Sequence, residues 1–165
     1  MKILITGATG LLGRSLVKTA LSKGIEINFL TTKKSKINCL NKAKGFYWNP
    51  SNGDLDTDCF LGVDVIIHLA GASISKLWTS SYKKLIFSSR VDSTRLLFSS
   101  LKQIGSRHKI KQIISASAVG IYPSDFEKIY SETAKVYPST FMEEVVIAWE
   151  NEVNSFDSIN IKVAK

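Results

Sequence analysis

The hydrophobic positions of this chain fall into a repeating alternation of short apolar runs and longer amphipathic stretches. Ile3, Leu4 and Ile5 form a first apolar run that stops at Thr6-Gly7. From Leu11 to Ser22 the apolar residues Leu12, Leu16, Ala20 and Leu21 recur at helical spacing. Lys23-Gly24 then ends the helix, glycine suiting the left-handed cap and lysine the negative helix end. Glu26 to Thr31 reads as a second strand, so strand, helix and strand form one βαβ unit with a right-handed crossover. Ser35 to Lys44 is polar, predicting loop or a short helix, and Gly45 to Trp48 predicts a third strand. The turn formers Asn49 to Asp54 follow, and Leu55 to Leu61 is expected as a short helix before Gly62. Val63 to Leu69 is a fully buried strand pattern, and Trp78 to Ile104 is the longest helical pattern, closed by Gly105.

Ile110 to Ser117 predicts a fifth strand ending in hydroxyls. Val119 to Pro138 is a long excursion, placed as a candidate active-site loop. Thr140 and Glu143 have the spacing of a capping box at the start of a helix carrying Val145, Val146, Trp149 and Val153. Ile159, Ile161 and Val163 alternate as a sixth strand. Strand and helix alternate throughout, which predicts an α/β fold: a doubly wound parallel sheet of order 3-2-1-4-5-6, the Rossmann arrangement, in one domain spanning 1–165 and cut off after about the sixth strand.

Within that frame the glycines acquire a meaning. Gly7, Gly10 and Gly13 recur every third residue between a buried strand and a helix start. That is the layout of a dinucleotide phosphate site, in which Gly7 permits the turn, Gly10 admits the pyrophosphate to backbone N–H groups, and Gly13 lets the helix pack on the strand. The end of the second strand bears on the cofactor. An acid there would bond a ribose 2′-hydroxyl, whereas this chain has Thr31-Thr32-Lys33-Lys34 and no acid between Glu26 and Asp54. NADP is therefore expected over NAD.

Composition narrows the partners. With 165 residues, 44% hydrophobic and 22% charged, the chain suits one globular domain. Its apolar runs are too short to span a membrane, and the glycines interrupt any signal-peptide core, so a cytoplasmic protein is expected. The charge of +8 is clustered at Lys33–Lys36, Lys42–Lys44 and Arg107–Lys111 without interleaved aromatics, which favours a solvated basic surface over nucleic acid. Cys39 and Cys59 stand alone and the two histidines are isolated, so no metal site is expected. His68, inside an apolar run, is expected as a satisfied core histidine.

The opening G-A-T-G-L-L-G resembles the extended short-chain dehydrogenase/reductases, the NAD(P)-dependent epimerase/dehydratase group. A narrower resemblance, to an uncharacterised epimerase-like family of cell-division-inhibitor homologues, rests on several ordered blocks. They are Trp48-x-Pro50-x-x-Gly53-x-Leu55-Asp56, Leu61-Gly62-x-Asp64, His68 to Gly71, Ile74 to Thr79, Ser89-Arg90-Val91 through Leu97, Ser115 to Gly120, and Ala148-Trp149-Glu150. The resemblance implies that Gly7, Thr9, Gly10, Leu11, Leu12 and Gly13 hold a pyrophosphate and that Thr32 and Lys33 lie near the adenosine ribose. It also implies that Leu69, Ala70 and Gly71 line the cofactor's path, that Ser115 approaches the nicotinamide, and that Ser117 positions the reacting oxygen of a small-molecule substrate.

Two departures follow. The Tyr and Lys of the superfamily's Y-x-x-x-K pair fall on Phe141 and Val145, which exchange no protons, leaving Tyr122 as the nearest substitute donor. The superfamily's helix Asn is replaced by Arg90. Members of the resembling family are also longer, with a C-terminal half that supplies most of the substrate pocket. The expected function is the NAD(P)-binding domain of an epimerase-like oxidoreductase that transfers hydride on a small, sugar-like substrate. The alternatives are a non-catalytic dinucleotide-binding module and an inactive truncated gene product.

Overall fold

The computed structural model of the chain describes all residues except 124, 126, 135 and 136, so part of the expected 119–138 loop lies outside the described residues. The sheet is built around β1 (Lys2–Thr6), which pairs in parallel with β2 (Glu26–Thr31) on one side and β5 (Val65–His68) on the other. Beyond β2 lie β3 (Lys44–Asn49) and β4 (Asp54–Leu55), and beyond β5 lie β6 (Gln112–Ser115) and β7 (Lys162–Ala164). The order is β4-β3-β2-β1-β5-β6-β7. The six parallel strands alone reproduce the expected 3-2-1-4-5-6 arrangement.

The additional strand corrects the sequence reading. β4 pairs antiparallel with β3 through Trp48 with Leu55 and Asn49 with Asp54. The connecting turn uses Gly53 at φ +74°, and Asn52 N–H bonds the Asn49 carbonyl at 3.1 Å. The helix expected over Leu55–Leu61 is instead a single 3-10 turn at Thr57–Phe60. Asp56 caps it by accepting from Asp58 N–H, and Gly62 at φ +75° stops it, while Cys59 and Phe60 pin it to the core. Two residues of strand carry no periodicity, so β4 left no mark in the hydrophobic pattern. Only a 3-10 turn, Lys34–Lys36, forms in the polar segment before β3. The last strand begins later than expected because Ser155–Ile159 coils as a 3-10 turn around fully buried Phe156, and Asn160 reverses the chain at φ 59°.

Among the described residues, three α-helices cover the sheet: α1 (Leu11–Ser22), α2 (Ser80–Ile104) and α3 (Phe141–Asn154). Alternation along β1 separates two cores. Leu4 joins Ile66, Val91, Leu97, Leu101, Ile113, Trp149 and Val153 on the α2/α3 face. Ile3 and Ile5 join Val17, Ala20, Ile27 and Phe29 on the α1 face. β1 is thus apolar on both faces, as a central parallel strand requires. The start of α3 is fixed by the expected capping box. Thr140 Oγ1 accepts from Glu143 N–H, and the Glu143 carboxylate accepts from Thr140 N–H at 3.1 Å and Ser139 N–H at 2.6 Å. The Ser139 N–H, foremost among these donors, holds the Glu143 carboxyl below its ordinary value.

Candidate functional site

Where β1 ends, the chain turns sharply over the three glycines. Gly7 adopts φ +70°, open to glycine at little cost, and Gly10 N–H bonds its carbonyl at 2.9 Å. A side chain at Gly7 would come within 2.7 Å of the Leu69 carbonyl oxygen, so glycine also lets this turn meet the end of β5. At Gly13, buried in the first turn of α1, a Cβ would overlap the Gly7 carbonyl and the Ala8 backbone. Gly10 is the N-cap of α1 and offers no side-chain cap, and no acid lies in the first turn. The leading N–H groups and the positive end of the helix dipole therefore face outward uncompensated, which is the chemistry an anionic phosphate seeks.

That turn opens onto a cleft of about 440 Å3 at the C-terminal end of the sheet. Gly7, Thr9, Thr32, Ala70 and Gly71 line it, five of the residues expected there. Thr31, Trp48, the Asn49–Ser51 turn and the α2 residues Ser88, Ser89, Asp92 and Ser93 complete the wall. Sequence reasoning did not assign these to the site, although Trp48-x-Pro50 and Ser89-Arg90 had stood out as blocks. Leu11 and Leu12 hold their side chains in solvent, at 90% and 69% exposure, so they contribute backbone alone. Lys33 caps the exposed 3-10 turn beside Thr32, while Lys34 lies over the Tyr47 ring at 5.1 Å. Ser115 is buried, and its hydroxyl donates to the Ala116 carbonyl at 2.9 Å.

The β5 side of the cleft is braced from within. Thr6 Oγ1 accepts from Leu69 N–H and Ala70 N–H, both at 3.0 Å. Its own proton therefore goes to His68 Nδ1 at 2.8 Å. That fixes His68 as the neutral Nε2–H tautomer, which donates to Thr94 Oγ1 at 3.0 Å. Thr94 in turn donates to the Arg90 carbonyl at 2.7 Å. Complete burial pushes the His68 pKa down to about 4, in keeping with a neutral ring. His68 is a satisfied core residue that ties β1, β5 and α2 together behind Leu69 and Ala70.

A second, larger cavity of about 780 Å3 lies beyond the end of β6. Ser117, Tyr122, Glu132, Glu150, Asn151 and Lys165 are among its lining residues. Ser117 donates its hydroxyl proton to Glu150 Oε1, and Lys165 Nζ donates to Glu150 Oε2 at 2.8 Å. Tyr122 stacks on Tyr130 with centroids 5.3 Å apart. Ser117 and Tyr122 thus share one cavity, together with Glu150, which the sequence showed in the Ala148-Trp149-Glu150 block without a role in the site. Phe141 packs edge-on to Trp78 at 5.8 Å and under Lys83, and Val145 is fully buried. Neither of these two offers proton chemistry.

Residues 3–156 match the NAD dependent epimerase/dehydratase family. The chain belongs to that family. Among its relatives, an epimerase family protein of Staphylococcus saprophyticus is 35% identical over 160 residues, and one of Staphylococcus aureus is 34% identical over 168. Each alignment covers 97% of this chain and 52% of the relative, so the chain spans about half the length of the curated relatives it matches. Among solved structures, the nucleoside-diphosphate sugar epimerase of Corynebacterium glutamicum superposes with a TM-score of 0.77 at 29% identity, covering 99% of this chain and 32% of that one. A human epimerase family protein determined with NADPH gives 0.73 at 21% identity, over 92% of this chain and 48% of its own. A UDP-glucuronic acid 4-epimerase of Bacillus cereus in complex with NAD gives 0.76 at 20%, over 99% of this chain and 54% of its own. At those lower identities the likeness is one of fold. Among the described residues, no helix is long and apolar enough to cross a membrane.

Proposed function

We propose that the cleft binds a nicotinamide dinucleotide, NADP in preference to NAD, and that the chain is the cofactor-binding part of a cytoplasmic epimerase-like oxidoreductase acting on a small, sugar-like substrate. The observation that carries this reading is the uncapped N-terminus of α1, which opens through the Gly7 turn onto a cleft between β2, β1 and β5. In an open α/β sheet, that is where phosphate-bearing ligands sit. The family match and the cofactors of the human and Bacillus cereus neighbours support it. The backbone N–H groups of Leu11 to Gly13 would hold the pyrophosphate, Thr32 and Lys33 the adenosine ribose and its 2′-phosphate, and Ala70 and Gly71 the path onward to the nicotinamide. When bound, such a cofactor supplies a hydride donor or acceptor.

This chain's own part in the chemistry is proton handling. Ser117 Oγ donates to Glu150 Oε1 and so presents a lone pair to a substrate hydroxyl; as it takes that proton, its own passes to the Glu150 carboxylate. Lys165 Nζ, paired to the other carboxylate oxygen at 2.8 Å, holds that carboxylate in place beside Ser117. Tyr122 lines the same cavity as a second donor. Titration of NADPH and NADH by calorimetry tests the cofactor claim. The expected result is tighter binding of NADPH. Lys33→Ala should cost about fivefold for NADPH and nothing for NADH, since an exposed ion pair contributes about 1 kcal/mol or less. No binding of either at millimolar cofactor would defeat the reading.

A second reading, a non-catalytic module that binds the dinucleotide as a structural or sensing ligand, is favoured by Phe141 and Val145 standing where the proton-transfer pair belongs. It predicts NADPH binding without turnover across a panel of carbonyl compounds and sugar nucleotides.

A further inference from the structure

Arg90 lies in the middle of α2 and turns into the molecule. Its Cζ sits 5.5 Å from the centre of the Trp149 ring. Both terminal nitrogens donate to the Ala72 carbonyl at 3.3 Å, and Nη1 also donates to the Ile86 carbonyl at 3.1 Å. All these partners are neutral. Among the described residues no carboxylate pairs with it, and the ion pairs of α2 belong to Arg95, with Asp92 and Glu152. Removal from water pulls its pKa down, an effect that Tyr82 opposes, yet a guanidinium keeps its proton at neutral pH. A half-buried cation with no anion paired to it is costly, and its field acts on its surroundings.

Its place relative to the cleft is specific. A Cβ on Gly71 would come within 3.1 Å of Arg90 Cζ, so the guanidinium lies directly behind this exposed glycine. Gly71, Ala72, Ser89 and Ser93, which surround Arg90 in space or along α2, all line the cleft. The one carboxylate on that wall, Asp92, is paired with Arg95 at 3.3 Å and has 41% of its side chain exposed. β5, which leads into this wall, pairs with β6 so that His68 stands opposite Ser115. Ala116 N–H bonds the His68 carbonyl at 3.0 Å, so the wall adjoins the Ser115–Ser117 segment. α3 carries Val145 where the superfamily resemblance expects a lysine, and a cation from α2 rests on its Trp149.

Given the dinucleotide reading proposed above, we infer that Arg90 sets the redox preference of the cleft, making it bind the reduced cofactor more tightly than the oxidised one. The two forms share adenosine, 2′-phosphate and pyrophosphate, so every contact at that end cancels from the ratio of their affinities. They differ by one positive charge on the nicotinamide ring. A fixed cation behind the nicotinamide side of the cleft disfavours the charged ring and leaves the neutral one untouched. At the effective dielectric near a protein surface, two unit charges about 10 Å apart change an equilibrium constant by about tenfold.

Calorimetric dissociation constants for NADPH and NADP+ test this on the whole chain, in the unsubstituted protein and in Arg90→Lys, Arg90→Gln, Arg90→Met and Lys33→Ala. The unsubstituted protein should bind NADPH about tenfold more tightly than NADP+. Arg90→Lys should keep that ratio, whereas Arg90→Gln and Arg90→Met should bring it close to one. Lys33→Ala should weaken both forms alike and leave the ratio unchanged. If Arg90 is merely structural, its neutral variants weaken both forms together, and an unmoved ratio overturns the inference. Should both neutral variants fail to fold in thermal unfolding, the unsubstituted ratio decides, and equal affinities overturn it. Absence of binding for both forms overturns the dinucleotide reading itself, so the two failures are distinguishable.

Discussion

At the scale of single residues, two positions carry most of the weight behind the cleft. Gly13 has no room for a methyl group, because its Cβ would overlap backbone, and backbone does not yield as a side-chain tip does. Gly13→Ala should therefore destabilise the fold by about 1–3 kcal/mol, the range for overpacking, and should weaken NADPH binding by displacing the start of α1. Chemical denaturation and calorimetry read the two effects separately. His68 makes a prediction about pH. Its folded pKa, about 4, lies below the ordinary value of 6.5, so the folded state binds fewer protons than the unfolded one. The associated stability is complete above pH 6.5 and is lost as pH falls toward 4, amounting to about 3 kcal/mol. His68→Gln should flatten that part of the curve of Tm against pH. An unchanged curve would show that the ring does not titrate on unfolding. The sequence indicated a buried histidine but not its tautomer, which depends on the N–H groups of Leu69 and Ala70, just past the end of β5, reaching Thr6.

At the scale of elements, legibility followed length. The βαβ unit, α2 and the capped start of α3 are long or chemically punctuated, and their periodicity located them to within a few residues. The two-residue β4 and the 3-10 turn at Thr57–Phe60 have no period to read; tertiary packing of Cys59 and Phe60 decided them. The site followed the same rule. The glycine turn is local and was read directly, whereas Glu150 became visible only when α3 packed beside the end of β6. α3 also explains why restoring the superfamily pair by substitution should fail. Val145 is fully buried, and the buried Glu143 carboxylate is already engaged by Ser139 and Thr140, so Val145→Lys would bury an ammonium. Phe141→Tyr with Val145→Lys should lower stability by several kcal/mol and confer no carbonyl reductase activity with NADPH. Stable folding with new turnover would contradict the placement of α3 described above.

At the scale of the whole molecule, the six parallel strands bring the glycine turn, the β2 end and the β5 end to one edge, although these segments are far apart in sequence. The order was predictable because alternating strands and helices with right-handed crossovers leave few topologies. The chain belongs to the epimerase/dehydratase family and spans about half the length of its curated relatives, and the strands that frame the cleft lie within it. The central claim is that a nicotinamide dinucleotide lies in that cleft, across the Gly7–Gly13 turn. Amide chemical shifts of the labelled chain, recorded as NADPH is added, test it most directly. The account predicts the largest saturable changes at Gly10, Leu11, Leu12, Thr32, Ala70 and Gly71. Changes confined to the far end of the sheet, around Lys44 and Lys111, or no saturable change at all, would contradict it.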